Sequence, residues 1–317
     1  TSTYDLSNVG KEDVGDFISI IDPTDTPFQS RQRASGLVTT AINITHEWLT
    51  DTLAAVSASD QNLEGDDANF TAATTPARLT NICEIRQKAA VVSGSQGKRA
   101  NYGIENTLEY QISKRIMEIG RNFEASAFAN NAKVNTNEST VREMAGIPVW
   151  LITNTDFASD GADATGLGAD ARTDGTVTGR YLTESMWQTV LTSAFTQGGD
   201  PDVAYCPPFQ KRAIDTFQGV VLATRDVGSA TMNTVINSVD IYHDAFATLA
   251  LVPHRHMRSR DLIILQSDFW RWSDFRPLDV EYLAKTGDNE KAMVVMEATI
   301  ESRHEKSSAG VFDLASS

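Results

Sequence analysis

The sequence predicts an α+β fold. Three observations carry that prediction: a long amphipathic stripe at Ile104–Ala132, two strand-like runs around a small acidic stretch before it, and a strand-rich final third. In the stripe, Ile104, Leu108, Ile112, Ile116, Ile119, Phe123 and Ala127 recur at steps of three or four. That spacing puts one apolar line down an α-helix. The flanks (Glu105, Glu109, Lys114, Arg115, Glu118, Arg121, Glu124) are polar and mixed in sign, so the helix is amphipathic and not a membrane span. At ~1.5 Å per residue it runs about 40 Å, and Leu108, Ile112, Ile116, Ile119 and Phe123 must pack on a core.

Ahead of the helix, residues 1–40 have little periodicity. Asp22-Pro-Thr-Asp-Thr-Pro-Phe28 holds two prolines, each fixing its own φ and biasing its predecessor away from helix. The segment reads as an extended arm lying along something else. From Thr39 to Leu53, Ile42, Ile44, His46 and Trp48 alternate with Asn43, Thr45, Glu47 and Leu49, the period of a strand. The acidic stretch Ala54–Thr75 follows, and Ala77–Val92 is a second strand-like run. The simplest geometry is a ribbon with arms of about 15 residues, reaching roughly 50 Å at ~3.3 Å each. Isolated ribbons are marginal in water. This one is expected to be covered by another subunit, with Phe28 of the arm and Trp48, Asp51, Glu64, Asp66 and Asp67 of the ribbon in the contact.

Beyond the ribbon, Ser93–Gly97 is a Gly/Ser turn, Asn130–Thr140 a polar loop and Ile147–Ile152 a strand. Asp156–Arg180, rich in Gly, Asp, Ala and Thr, reads as a mobile surface loop. A helix capped by Thr183 runs to about Phe195, Asp202–Tyr205 is a short strand, and Pro207–Gln218 is a proline-led helix. Strands are expected at Thr234–Tyr242, Thr248–Val252, Asp261–Leu265, Val280–Leu283 and Lys291–Arg303. The aromatic and basic run Phe269–Arg276 reads as core and cation–π packing beside a strand.

Composition narrows the classes. A chain of 317 residues holds one large or two smaller domains, and 41% hydrophobic with 22% charged residues argues against general disorder. No apolar run approaches the ~18 residues of a membrane helix. A net charge of −15 is the wrong sign for a sheath that wraps nucleic acid, so any DNA contact is local. Cys83 and Cys206 lie far apart without metal spacing and read as free buried thiols of a reducing compartment. The polar start at Thr1 has no signal-peptide pattern, and a processed N-terminus, by Met removal or by trimming, is the expectation.

Site chemistry is not found. His46-Glu47 would need a second histidine where Thr50 stands, and His304-Glu305 fails likewise at Ser308. His254 and His256 read as ordinary surface histidines. Gly94–Gly97 lacks the Lys-Ser/Thr ending of a phosphate loop, and the aspartates after Asp156 do not match a calcium loop. No catalytic residue, metal ligand or cofactor is expected.

The order of parts then carries a resemblance. Ile21–Phe28 in the arm, His46–Leu53 opening the ribbon, Glu64-Gly65 near its tip and Met144–Ile147 after the helix resemble one family of tailed-phage major capsid proteins. So do Arg276–Asp288 and Lys291–Arg303. The resemblance implies the Hong Kong 97-type capsid fold: an N-terminal arm (1–40), an extended β-ribbon loop with an adjoining strand (41–92), a spine helix and peripheral domain (93–154), an axial domain (155–275) and a return to the peripheral domain (276–317). It implies an icosahedral head of pentamers and hexamers enclosing double-stranded DNA without reading its sequence, in the virion after assembly in the host cytoplasm. Decoration, scaffolding and portal proteins are the implied partners, and Trp270, Trp272 and Arg276 fall at the axial–peripheral junction. An encapsulin-like nanocompartment shell and a phage tube or decoration protein are the competing readings.

Two departures bear on the particle. Some shells of this fold fuse their subunits through a lysine on the extended loop, and residues 41–87 contain none. Mature particles are therefore expected to run as single chains on denaturing gels, and a ladder of covalent multimers would refute this. The front of the chain also shows no helical scaffolding segment, so scaffolding is expected as a separate protein or a removed one.

Overall fold

The computed structural model describes residues 20–59, 61–67, 70, 75–135, 140–217 and 240–316. The spine is α3, Thr107–Ala127. It is shorter than the stripe because Ile104 pairs in a bridge with Asn101, and the Asn106 side chain accepts the Leu108 and Glu109 amides at the helix start. Leu108, Ile112, Ile119 and Phe123 are buried and Ile116 is half-buried, as the periodicity requires.

The ribbon differs from its expectation. Strands β1 (Val38–Thr40) and β2 (Thr45–Thr50) precede β3 (Ala77–Ile82) and β4 (Glu84–Ser93). Only β2 and β3 pair as a ribbon, antiparallel from Thr45↔Ile82 to Thr50↔Ala77. Six residues per arm at ~3.3 Å each reach roughly 20 Å, not 50. Asn81, next to the end of β3, is fully buried. Its Oδ1 accepts the Ile82 and Ala145 amides, and its Nδ2 donates to the Ile300 carbonyl. The pairing with the β2 side runs on to the Cys83 amide, which donates to the Ile44 carbonyl, and β4 then joins a different sheet.

Two further expectations are corrected. The arm contains a helix, α1 (Pro27–Ala34), with a proline in its first turn, where a missing N–H costs nothing. Ile147–Trp150 is a single helical turn, α4, after the short helix α2 (Gly94–Lys98) and the spine. Pro148 cannot donate to a ladder but fits a helix start. Gly146 before it admits no side chain, since a Cβ would stand 2.0 Å from the Ala129 carbonyl oxygen.

By contacts the chain divides into two units. One comprises Arg86–Arg121 and Leu278–Met296 with the described residues before Thr26; the other comprises Thr26–Ile85, Asn122–Pro277 and Glu297–Ser317. The larger unit holds a six-stranded mixed sheet. Its members are β5 (Thr155–Asp156), β6 (Val203–Cys206), β7 (Ile241–His243), β8 (Thr248–Pro253), β9 (Leu262–Leu265) and a strand Ala309–Val311. After β9 come β10 (Trp270–Leu283) and β11 (Asn289–Ser302), so Ala309–Val311 is β12. The order is β5-β12-β9-β6-β8-β7, and a second sheet runs β1-β10-β11-β4. The strand expected from Thr234 is described only as β7, because 234–239 lie outside the described residues.

Every residue of β6 and β9 is buried, so both faces of the sheet centre are covered. Helix α5 (Glu184–Thr196), capped by the Thr183 side chain, covers one face with Trp187, Val190, Leu191 and Ala194. Ala204 and Cys206 of β6 join that cluster. Tyr205, one residue out of phase, points to the other face, where Phe28, Phe128 and His254 lie. Helix α6 (Pro208–Ile214) follows with the expected leading proline.

The aspartate-rich stretch 156–180 is stitched to the body, contrary to its reading as a mobile loop. Arg172, 5% exposed, reaches Asp163 at 2.5 Å and the Leu151 carbonyl at 3.0 Å, with its guanidinium 3.6 Å over the Phe312 ring. Asp174 pairs with Arg258 and Arg260, and Arg180 with Asp156.

Candidate assembly surfaces

The root of the ribbon faces its own body. In β2, His46 and Trp48 turn inward and Glu47 and Leu49 outward, as the alternation predicts. The Trp48 indole donates to the Ser302 carbonyl at 2.8 Å and lies 5.4 Å from the Trp150 ring. His46 Nε2 lies 3.1 Å from Glu301 Oε2, and Arg303 Nε donates to Glu301 Oε1 at 2.6 Å. Burial pushes the Glu301 carboxyl upward, but the bonds to His46 and Arg303 outweigh it and hold Glu301 below the usual carboxylate range. Trp48 is therefore an anchor inside the subunit, correcting its assignment to a neighbour contact. Phe28 needs the same correction: it is fully buried, edge-on to Phe128 at 5.8 Å, Tyr205 at 6.1 Å and Trp272 at 6.5 Å.

Past Thr50 the character changes. Among the described residues between 51 and 76 there is neither helix nor strand. Leu53 is 98% exposed, Val56 102%, Leu63 81% and Phe70 93%. Asp51, Glu64, Asp66 and Asp67 are exposed beside them. Gly65, at φ +86°, sits in a turn closed by the Asp66 amide on the Leu63 carbonyl, a conformation L side chains rarely adopt. Among the described residues the stretch is thus acidic and studded with exposed apolar side chains.

Trp270 and Trp272 are fully buried. Trp270 donates to Ser308 Oγ at 3.0 Å, and Trp272 meets Phe123 at 5.8 Å with Arg33 over its ring. Arg276 and Arg142 each reach one oxygen of the buried Glu297 at 3.1 Å. On the spine flank Arg115 grips Glu118 through both oxygens and Lys88 adds a third contact. Burial raises the Glu118 carboxyl, and these cations outweigh it.

Sequence reasoning missed one cluster. Glu124, read as a solvated flank of the spine, is fully buried, and so is His254, read as a surface residue. Glu124 Oε1 accepts the Phe28 amide at 2.6 Å and lies 3.0 Å from His254 Nε2, while Oε2 accepts the Gln29 amide at 3.1 Å. One signal was available. From Phe123 to Ala129 the spine carries no charge but Glu124, the pattern of a helix end buried all round.

No cluster of three or more His, Cys, Asp or Glu is set to hold a metal among the described residues, and no described helix is long and apolar enough to cross a membrane. Both thiols are buried and free; burial pushes Cys83 up to about 11 and Cys206 up to about 12, the inert end of thiol chemistry.

The chain is similar to known phage proteins along nearly its whole length. The Escherichia phage Phieco32 major capsid protein is 23% identical over 344 residues, covering 99% of this chain and 96% of that protein. Among solved structures, the Cyanophage A-1(L) capsid asymmetric unit matches with a TM-score of 0.66 over 99% of both chains at 10% identity. A Mycobacterium phage Bobi chain matches at 0.61 over 98% of both, at 12% identity. At such identities the solved structures speak for the fold alone, and the fold they share is the capsid one. The model of the SU10 major capsid protein family matches residues 1–315. This chain belongs to the SU10 major capsid protein family and forms the head of a phage.

Proposed function

We propose that the chain closes an icosahedral shell of pentamers and hexamers around double-stranded DNA, and that residues 51–70 lie on a neighbouring copy. The exposure of Leu53, Val56, Leu63 and Phe70, on a stretch whose described residues form neither helix nor strand, carries this reading. Leaving so much apolar surface wet on a subunit is unfavourable at ~25 cal/mol per Å², and obligate assemblies bury over ~2,000 Å² per interface. The role is structural and not catalytic. The net charge of −15 suits a wall that must not bind its contents tightly. Engagement of Arg115 by Glu118 leaves still less free positive charge on the spine flank. Scaffolding, portal and decoration partners, and assembly in the host cytoplasm, belong to the same reading.

The test is a triple substitution, Leu53→Asp, Val56→Asp and Leu63→Asp. These side chains touch little of their own chain, so the subunit's unfolding free energy should stay within ~0.5 kcal/mol for each change. Electron microscopy should show no closed shells where the parent forms them. Normal shells from the triple variant would remove residues 51–70 from the interface.

A further inference from the structure

Helix α1 lacks the cap its own sequence could supply. Thr26 stands at the N-cap position, yet its side chain makes no capping bond and instead shares a hydrogen bond with the Ser30 hydroxyl at 3.2 Å. The first-turn amides of any helix have no intrahelical acceptor. Here the amides of Phe28 and Gln29 are taken by Glu124, almost a hundred residues later. The carboxylate sits where the helix dipole favours negative charge. His254 completes it: Nδ1 accepts the His256 amide at 3.2 Å, so Nε2 carries the proton and donates to Glu124. The rest of α1 is held from the same unit, by Arg31 on Asp202 at 2.6 Å and Arg33 on Asp274 at 3.0 Å. The larger unit begins at Thr26, at the end of α1 that Glu124 holds.

We propose that Glu124 is a positioning residue for shell assembly: through the Phe28 and Gln29 amides it fixes where the chain enters the body, and subunits with α1 unseated do not close into normal shells. This rests on the shell-forming role, but its local half can be read without any shell. Arg31 and Arg33 are pairs at the partly exposed side of α1, and such pairs contribute little. Glu124 binds three buried donors at once. An amide in its place has one acceptor oxygen. In either orientation its NH₂ group faces a backbone N–H or the imidazole N–H, so at least one buried donor is orphaned.

The experiment is hydrogen–deuterium exchange of the full chain with electron microscopy of the assembled product. In the parent protein the Phe28 and Gln29 amides should be protected, although first-turn amides of an ordinary helix exchange early. Rapid exchange of both would overturn the proposal even if no variant could be made. Glu124→Gln should speed exchange in α1 by about tenfold or more, the effect of one orphaned buried donor, with α5 unchanged. Assembled well below its melting temperature, it should give few or malformed shells. Arg31→Gln, which leaves the Glu124 bonds intact, should give normal ones. Equal acceleration in α1 and α5 would show a general loss of stability and sink the idea. So would normal shells from Glu124→Gln, or a loss of shells in Arg31→Gln as complete as in Glu124→Gln. Failure of the parent itself to assemble would instead count against the shell-forming role.

Discussion

Ile116→Pro is expected to abolish shells and to destabilise the subunit by about 3 kcal/mol or more. Position 116 lies in the middle of α3, nine residues after Thr107 and eleven before Ala127. Proline there removes the amide that bonds to the Ile112 carbonyl and drives its ring against that same carbonyl. The side chain itself contributes less than its neighbours, because Ile116 is only half-buried. The damage comes from geometry. Leu108 and Ile112 lie on one side of the break, and Ile119 and Phe123 on the other, all of them buried. A helix kinked at 116 cannot keep all four on one line, so at least one pair leaves its packing. Fully burying one such side chain is worth about 1.5–3 kcal/mol, so the kink adds a packing loss to the backbone one. Urea unfolding of the purified subunit measures the first effect, and electron microscopy of the expressed protein measures the second. Ile116→Ala separates the two: it keeps the helix and should still yield shells. Normal heads from Ile116→Pro would show that α3 is not the spine.

The spine was legible because its signal is local. Residues three and four apart share a helix face, and no tertiary information is needed to see it. The inward turn of His46 and Trp48 was legible for the same reason, by alternation. What they pack on was not, since Ser302, Glu301 and Trp150 lie 100 or more residues further on. The expectation of a neighbour contact for Trp48 and Phe28 failed at that step: a large aromatic on an extended segment signals burial, but the sequence does not say against which chain. Ile147–Trp150 misled because four apolar residues read alike as a buried strand or a buried helical turn, and Pro148 was the cue for the turn. The stretch 156–180 misled because its aspartates find their arginines at Arg258 and Arg260, far along the chain. Glu124 and His254 share that fault, being polar groups whose donors and acceptors only the fold brings together.

Asp261 gives the second large expectation, one in which removing a charge should strengthen the protein. It is 1% exposed, directly before β9. Its Oδ2 lies 3.2 Å from Arg258 Nη1, but neither atom makes a hydrogen bond. Arg258 is turned instead toward Asp174, which Arg260 also approaches. Burial pushes the Asp261 carboxyl up to about 7; Arg258 opposes that push, and the Asp174 charge reinforces it. The folded protein thus holds this proton more tightly than the unfolded chain. The stability Asp261 contributes as an acid is fully present below its ordinary value of 3.8 and is lost as pH rises through about 7. At ~1.36 kcal/mol per pH unit that interval sets a ceiling of about 4 kcal/mol. Asp261→Asn keeps the shape, removes the buried charge and leaves Arg258 its bond to Asp174. At pH 8 the variant should be more stable than the parent by about 2–4 kcal/mol, and the advantage should shrink steadily toward pH 5. Other carboxylates, among them Glu301 with its depressed value, pull the parent's own profile the opposite way in acid, so the informative quantity is the difference between the two proteins at each pH. Parallel profiles in urea unfolding from pH 5 to pH 8 would show that Asp261 does not titrate there and that Arg258 compensates it despite the poor alignment.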